Sequence, residues 1–374
     1  MNANPTPADL RPLQRLPLLV LGFVALFIGM GAGLARMGWA MPRLAENVIP
    51  LHGPLMICGF FGVVIALERA VALARLWAYL SPLAAGIGTG LVLAGALAIA
   101  PYFYVGAALV LLAATLHVFW RQRALFTFTL VLGAVAWVHG CVLWAAGRPL
   151  YESIPWWLAF LVLTIAGERL ELSRLRPPSV IATRVFAALL LAIVVGLAGA
   201  STRWGLPLFA AALLGLALWL VKQDIARRTV RAQGLTRFIA VCLLSGYLWL
   251  AVGAIVGLAA DGLARGTLAY DAAMHAILLG FVFAMVFGHA PIIFPAVLRV
   301  AVPYHPTFYL PLLLLHLSLL VRLTGDATGQ YGWTRIGALL NALALLAFIL
   351  STVAAVVRGR ISQASNIAAQ EISE

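Results

Sequence analysis

Along this chain apolar residues come in long unbroken runs, and short polar stretches between them carry most of the arginines. The runs do not alternate with period two. A bilayer core takes about 20 residues of helix. Runs of roughly that length recur at 17–35, 48–70, 78–99, 102–120, 125–145, 154–173, 179–200, 204–222, 236–259, 270–298, 304–323 and 334–357. The pattern predicts an all-α polytopic integral membrane protein with about 12 transmembrane helices. Strands of a membrane barrel would alternate polar and apolar residues, which these runs do not. The short connections leave no room for an inserted soluble domain. The expected organisation is an N-terminal segment at 1–16, a transmembrane helical domain at 17–357, and a polar tail at 358–374 that is frayed or forms a short surface helix. The first run has no small-residue cleavage site after it and reads as a helix, not a removable signal.

Composition agrees. Hydrophobic residues make up 64% of the chain and charged residues 10%, against about 45–50% and 25% in soluble domains. The net charge of +13 becomes informative once the loops are assigned to alternate sides. With N and C termini both cytoplasmic, eighteen of the 25 basic residues lie inside, among them Arg174, Arg176 and a cluster from Lys222 to Arg237, and seven lie outside, among them Arg148 and Arg265. That bias is the expected positive-inside signature. The charge therefore suits anionic headgroups. No compact basic domain is present to bind nucleic acid. Cys58, Cys141 and Cys242 are too scattered for a CxxC motif.

The candidate chemistry lies in the histidines. The stretch MHAILLGFVFAMVFGHAPIIFP, from Met274 to Pro295, holds His275 and His289 with no charge between them. Fourteen residues are close to four turns and about 21 Å of rise, so a regular helix would present both on nearly one face, one near each side of the membrane. Placed by depth, His52, His139, His275 and His316 form an outer layer, and His117, His289 and His305 an inner one. Each imidazole needs a partner where there is no water. Metal ligation satisfies several at once, and hydrogen bonding between helices is the competing account. Gly53, Gly59 and Gly62 follow His52 on the second run, where small residues admit a neighbouring helix or a flat cofactor. Glu68–Arg69 and Glu168–Arg169 end two even-numbered runs in similar sequence, ALERAVAL and AGERLEL. They read as helix-end caps, as proton-entry or propionate-pairing groups, or as the echo of an internal duplication.

Three segments resemble the NnrS family of bacterial inner-membrane proteins. In LHGPLMICGFFGVVIALER, His52 is followed by Met56 and then Gly59-Phe60. SGYLWLAVGAIVGL, from Ser245, resembles the Gly-Tyr-x-Trp-Leu span of that family. MHAILLGFVFAMVFGH resembles its late histidine helix. The resemblance is that of a divergent relative, with His52-Gly53-Pro54-Leu55 where the family carries His-x-His-Glu. The resemblance implies twelve spans, haem (b-type) and copper as cofactors, and a role in nitric oxide metabolism or tolerance as a membrane oxidoreductase or gas-binding protein, with a quinol as a further candidate partner. It carries over by position to His52, His275 and His289 as haem or metal ligands and to Met56 as an alternative axial ligand, and the depth of His139 and His117 adds them as further candidate ligands. An outer centre would pair His275 with His52 or His139, and an inner one His289 with His117. Trp137, Tyr247, Trp249 and Phe287 would pack around a macrocycle. The rival expectation is a proton-coupled or metal-ion transporter. Its intramembrane His and Glu residues would line a pathway, with Pro291 and Pro295 breaking the tenth helix and Glu68 and Glu168 in corresponding places of a half-repeat.

Overall fold

The computed structural model describes residues 9–172, 178–259, 263 and 266–373, with side chains as far as Ile361. Arg174, Arg176 and Arg265 lie outside the described residues. Twelve helices are long and apolar enough to cross a membrane: α1 (Pro12–Arg36), α2 (Ile49–Leu73), α3 (Leu76–Leu93), α4 (Ala100–Arg121), α5 (Leu125–Ala145), α6 (Leu150–Leu172), α7 (Val180–Ala198), α8 (Gly205–Gln223), α9 (Gly234–Ala259), α10 (Leu268–Leu298), α11 (Pro306–Thr328) and α12 (Tyr331–Ile361). Among the described residues there is no strand. All twelve expected runs are found, with ends that differ by a few residues. The last helix does not stop at 357 but runs on to Ser373. No proline interrupts it, and Gly359 lets it pass against Ala301 and Pro303.

Helices α1–α6 form one compact unit and α7–α12 a second. In unit one, α2 packs against α1, α3, α4 and α6, and α5 pairs with both α4 and α6. The close α5–α6 approach follows from small residues. A Cβ on Gly133 would lie 3.2 Å from the Phe160 carbonyl, and one on Gly167 3.1 Å from that of Phe126. Without a hydrophobic drive between helices in lipid, such backbone contact is what holds them. In unit two, α9 packs on α8 and α10, and α11 pairs with α12, where Gly325 faces Thr334 and Gly337 faces the backbone of Arg322. The exposed side chains are apolar along helical stripes, such as Leu310, Leu313, Leu317 and Leu320 on α11 and Ile336, Leu343, Leu350 and Val357 on α12. Such stripes suit a lipid environment.

Two helices depart from α geometry. A π turn occupies Leu55–Phe61 in α2 and another Ala276–Phe283 in α10. Each begins within three residues of a histidine, His52 or His275. Such turns recur at functional sites. The expected break at Pro291 and Pro295 does not occur: both prolines sit inside a helical stretch that continues to Leu298. Packed neighbours allow prolines to be carried within membrane helices. The irregularity of α10 lies a full two turns earlier, at the π turn. That turn also overturns the expectation of one shared histidine face. It inserts a residue without the matching rotation, so His289 turns by about 100° from where a regular helix would place it relative to His275.

Candidate functional site

Unit one holds three candidate histidines. His52 directs Nδ1 to the Gly29 carbonyl of α1 at 2.7 Å, and its ring lies against Gly33, where a Cβ would come within 2.9 Å of Cε1. Met56, one turn on, is buried and packs its sulfur against Gly29. Gly29 and Gly33, one turn apart, thus make a groove on α1 that takes the methionine and the histidine side by side. His117 on α4 approaches Trp77 edge-on, and its buried Nε2 has no hydrogen-bond partner. His139 on α5 is exposed and lies on Trp156 with ring centres 3.9 Å apart.

Unit two holds the other four. His275 directs Nδ1 to the Asp271 carbonyl at 2.8 Å, with an Asp271 carboxylate oxygen at 3.3 Å. His289 directs Nδ1 to the Met285 carbonyl at 2.7 Å, a carbonyl of the ordinary helical series and not one released by Pro291. Facing an oxygen that can only accept, Nδ1 of each of His52, His275 and His289 carries the proton, and the lone pair resides on Nε2. His316 is different. Trp249 Nε1 donates to its Nδ1 at 2.9 Å, so its Nε2 donates to Ser245 Oγ at 3.0 Å. Both of its nitrogens are used in joining α9 to α11. His305 is exposed and caps the start of α11.

Both Glu–Arg pairs lie in unit one. The fold brings them together: Arg69 of α2 reaches Glu168 of α6 at 4.0 Å, and Glu68, Arg169 and Glu171 lie within electrostatic reach of Glu168. Four of these charges alternate in sign across two helix ends, which offsets the cost of burying Arg169 and half-burying Glu68, Arg69 and Glu168. The four aromatic residues expected around a macrocycle are taken up by the core of their own units. Trp137 stacks on Phe160 and Phe287 on Phe348, Tyr247 donates to Asp224 at 2.6 Å, and Trp249 binds His316.

Two sets of residues were not among the expected ones. In unit two, Arg322 of α11 makes a two-pronged ion pair with Asp271 of α10, at 2.8 and 3.0 Å, and Asp326 accepts from Thr334 of α12. An acid in the stretch AYDAAMH, one turn before His275, was the available signal. In unit one, the thiols of Cys58 on α2 and Cys141 on α5 meet at 4.0 Å, fully buried. Their scatter in sequence hid a spatial pair. No group of three or more His, Cys, Asp or Glu suited to a metal ion is gathered among the described residues. The expected pairings, His275 with His52 or His139 and His289 with His117, each take one histidine from each unit.

The profile of a family described as a domain of unknown function (DUF8744) matches residues 15–357. The chain belongs to the DUF8744 family. No curated protein and no solved structure matches it. The match covers every one of the twelve spans at least in part, so the histidines, the buried ion pairs and the thiol pair all lie within the DUF8744 region.

Proposed function

We propose that this DUF8744 protein is a multi-pass haem protein of a bacterial inner membrane, akin to NnrS proteins, acting on or sensing a small diatomic gas such as nitric oxide. The observation that carries the reading is the shared pose of His52, His275 and His289. Each binds a backbone carbonyl through Nδ1, the support by which proteins orient a histidine ligand and raise its basicity. The unpartnered Nε2 of His117 is the second fit, since a buried polar atom without a partner calls for an unseen ligand or water. These four residues would hold b-type haem through Nε2. Bound haem would supply an iron that exchanges one electron or takes up a diatomic ligand. The chain's own part is to fix the imidazole tautomers, to exclude water through its apolar core, and to set positive charge near propionates through Arg69 and Arg169. His139, exposed on Trp156, and Met56, seated on Gly29, are weaker candidates. The copper implied by the resemblance has no cluster of three or more ligands among the described residues.

The test is the colour of the purified protein and a pyridine haemochromogen assay. A Soret band with stoichiometric iron is the expected result. His275→Ala and His289→Ala should then perturb different spectral components, because about 20 Å along one helix is too far for one iron. A colourless, iron-free protein from haem-replete cells sinks the reading. It would favour the second one, a proton-coupled or metal-ion transporter, for which the half-buried Asp271–Arg322–His275 group and the Glu68–Glu168 cluster are the supporting observations.

A further inference from the structure

We propose that one end of unit two, built around the connection from α8 to α9, is a binding surface for the phosphate headgroups of anionic phospholipids. Such binding depends on neither haem nor transport. Five cations and one acid lie between Lys222 and Arg237. The cations Lys222, Arg227, Arg228, Arg231 and Arg237 are all exposed, whereas the acid, Asp224, is buried. Both of its oxygens are turned inward. Oδ1 accepts from the Ala226 N–H at 2.8 Å, the local bond by which an aspartate fixes a turn. Oδ2 accepts from the Tyr247 hydroxyl of α9 at 2.6 Å. The acid thus ties the helical turn Ala226–Thr229 to α9, and this stretch shows the surface cations alone. A connection already fixed in place loses less freedom on gripping a headgroup than a loose one does.

Neighbouring segments of unit two extend the surface. Phe238, beside Arg237, meets Tyr304, Phe308 and Tyr309 at the entry to α11, and Gly359 brings α12 against Ala301 and Pro303. Exposed Arg299 and Arg360 flank these contacts. Asp271 and Asp326, the other acids described with side chains in unit two, lie at the far ends of α10 and α11. Unit one is different: there Arg69 and Arg169 lie among Glu68, Glu168 and Glu171, so acids answer part of its charge. The partner that fits is a lipid. The cations stand at the ends of spans, where headgroups lie, and tyrosines at this level suit the interface. The connection is short, so it holds its cations close to the membrane surface and does not reach far into water. Clusters of arginine and lysine beside a span attract anionic lipid, each cation strengthening binding about fivefold.

The full-length protein in detergent micelles containing phosphatidylcholine is titrated with phosphatidylglycerol, and bound lipid is counted by native mass spectrometry. Phosphatidylglycerol should bind in preference to phosphatidylcholine and leave as salt rises. Arg227→Gln/Arg228→Gln should weaken its binding by about tenfold or more, while Arg227→Lys/Arg228→Lys keeps it. Arg121→Gln/Arg123→Gln removes as many exposed charges from unit one and should leave binding nearly unchanged. Equal loss in the two glutamine variants would mean that net charge alone draws the lipid, and overturns the site. If a variant does not insert or fold, the unaltered protein decides through a phosphatidylglycerol analogue with a photoactivatable headgroup. Label concentrated on peptides from Lys222 to Arg237 supports the site, and label spread evenly over the loops of both units overturns it. Displacement of the lipid by inorganic phosphate at equal concentration would make a soluble anion the occupant, and overturns it as well.

Discussion

Arg322 is buried, and its charge is met by both oxygens of Asp271. Removing one partner of a buried pair leaves the other uncompensated, at a cost of about 3–5 kcal/mol. Asp271 is half-exposed, so Asp271→Ala should fall near about 3 kcal/mol in thermal unfolding in detergent. The double variant Asp271→Ala/Arg322→Leu should recover part of that loss, because the guanidinium is then no longer stranded. A single variant as stable as the parent would show that water, not Asp271, satisfies the guanidinium. At this scale the sequence told which residues were out of place in a membrane but not what they touch. His275 and His316 looked alike as histidines in apolar runs. Only the fold shows that His316 spends both nitrogens on Trp249 and Ser245. Cys58 and Cys141, 83 residues apart on different helices, could not be paired from spacing at all.

Helices were legible because each one is an apolar run long enough to span, and that signal needs no partner. Interruptions within them were not. Proline at 291 and 295 is a visible breaker in sequence, yet α10 carries both. The π turns at Leu55–Phe61 and Ala276–Phe283 have no such mark, since an inserted residue in an apolar run leaves the pattern apolar. The α10 turn is held where Gly280 meets the ring of Trp249 on α9. A Cβ there collides with an indole already fixed by its hydrogen bond to His316, so Gly280→Ala should destabilise by about 1–3 kcal/mol through overpacking. Gly106 on α4 has nothing within 4 Å of its Cβ position, and Gly106→Ala should be neutral or stabilise by up to about 1 kcal/mol. Melting temperatures of the two variants, measured side by side, check the contrast. Equal shifts would mean that α9 and α10 are free to move apart at Gly280.

For the whole molecule, the span count and the arginines together make a prediction about orientation. Twelve spans return the chain to the side on which it began. Short loops then divide the basic residues eighteen to seven in favour of the side holding the termini, and cationic loops stay cytoplasmic. The loop from α8 to α9 decides most strongly, because Lys222, Arg227, Arg228, Arg231 and Arg237 lie in or beside it, and Arg227 and Arg228 sit on a short helical turn at Ala226–Thr229. Reporter fusions after Arg123 and after Arg231 should therefore read cytoplasmic, and one near Arg148 periplasmic. Arg148 is a fair outside marker despite its charge, since Glu152 pairs with it at 2.9 Å. A periplasmic reading at Arg231 would invert the depth assigned to every histidine. It would move His52 and His275 to the inner leaflet and His117 and His289 to the outer one, and place the Glu68–Arg69–Glu168 cluster on the side away from the cytoplasm. The haem reading would survive that inversion, because it rests on imidazole poses. Proton entry from the cytoplasm through Glu68 and Glu168 would not.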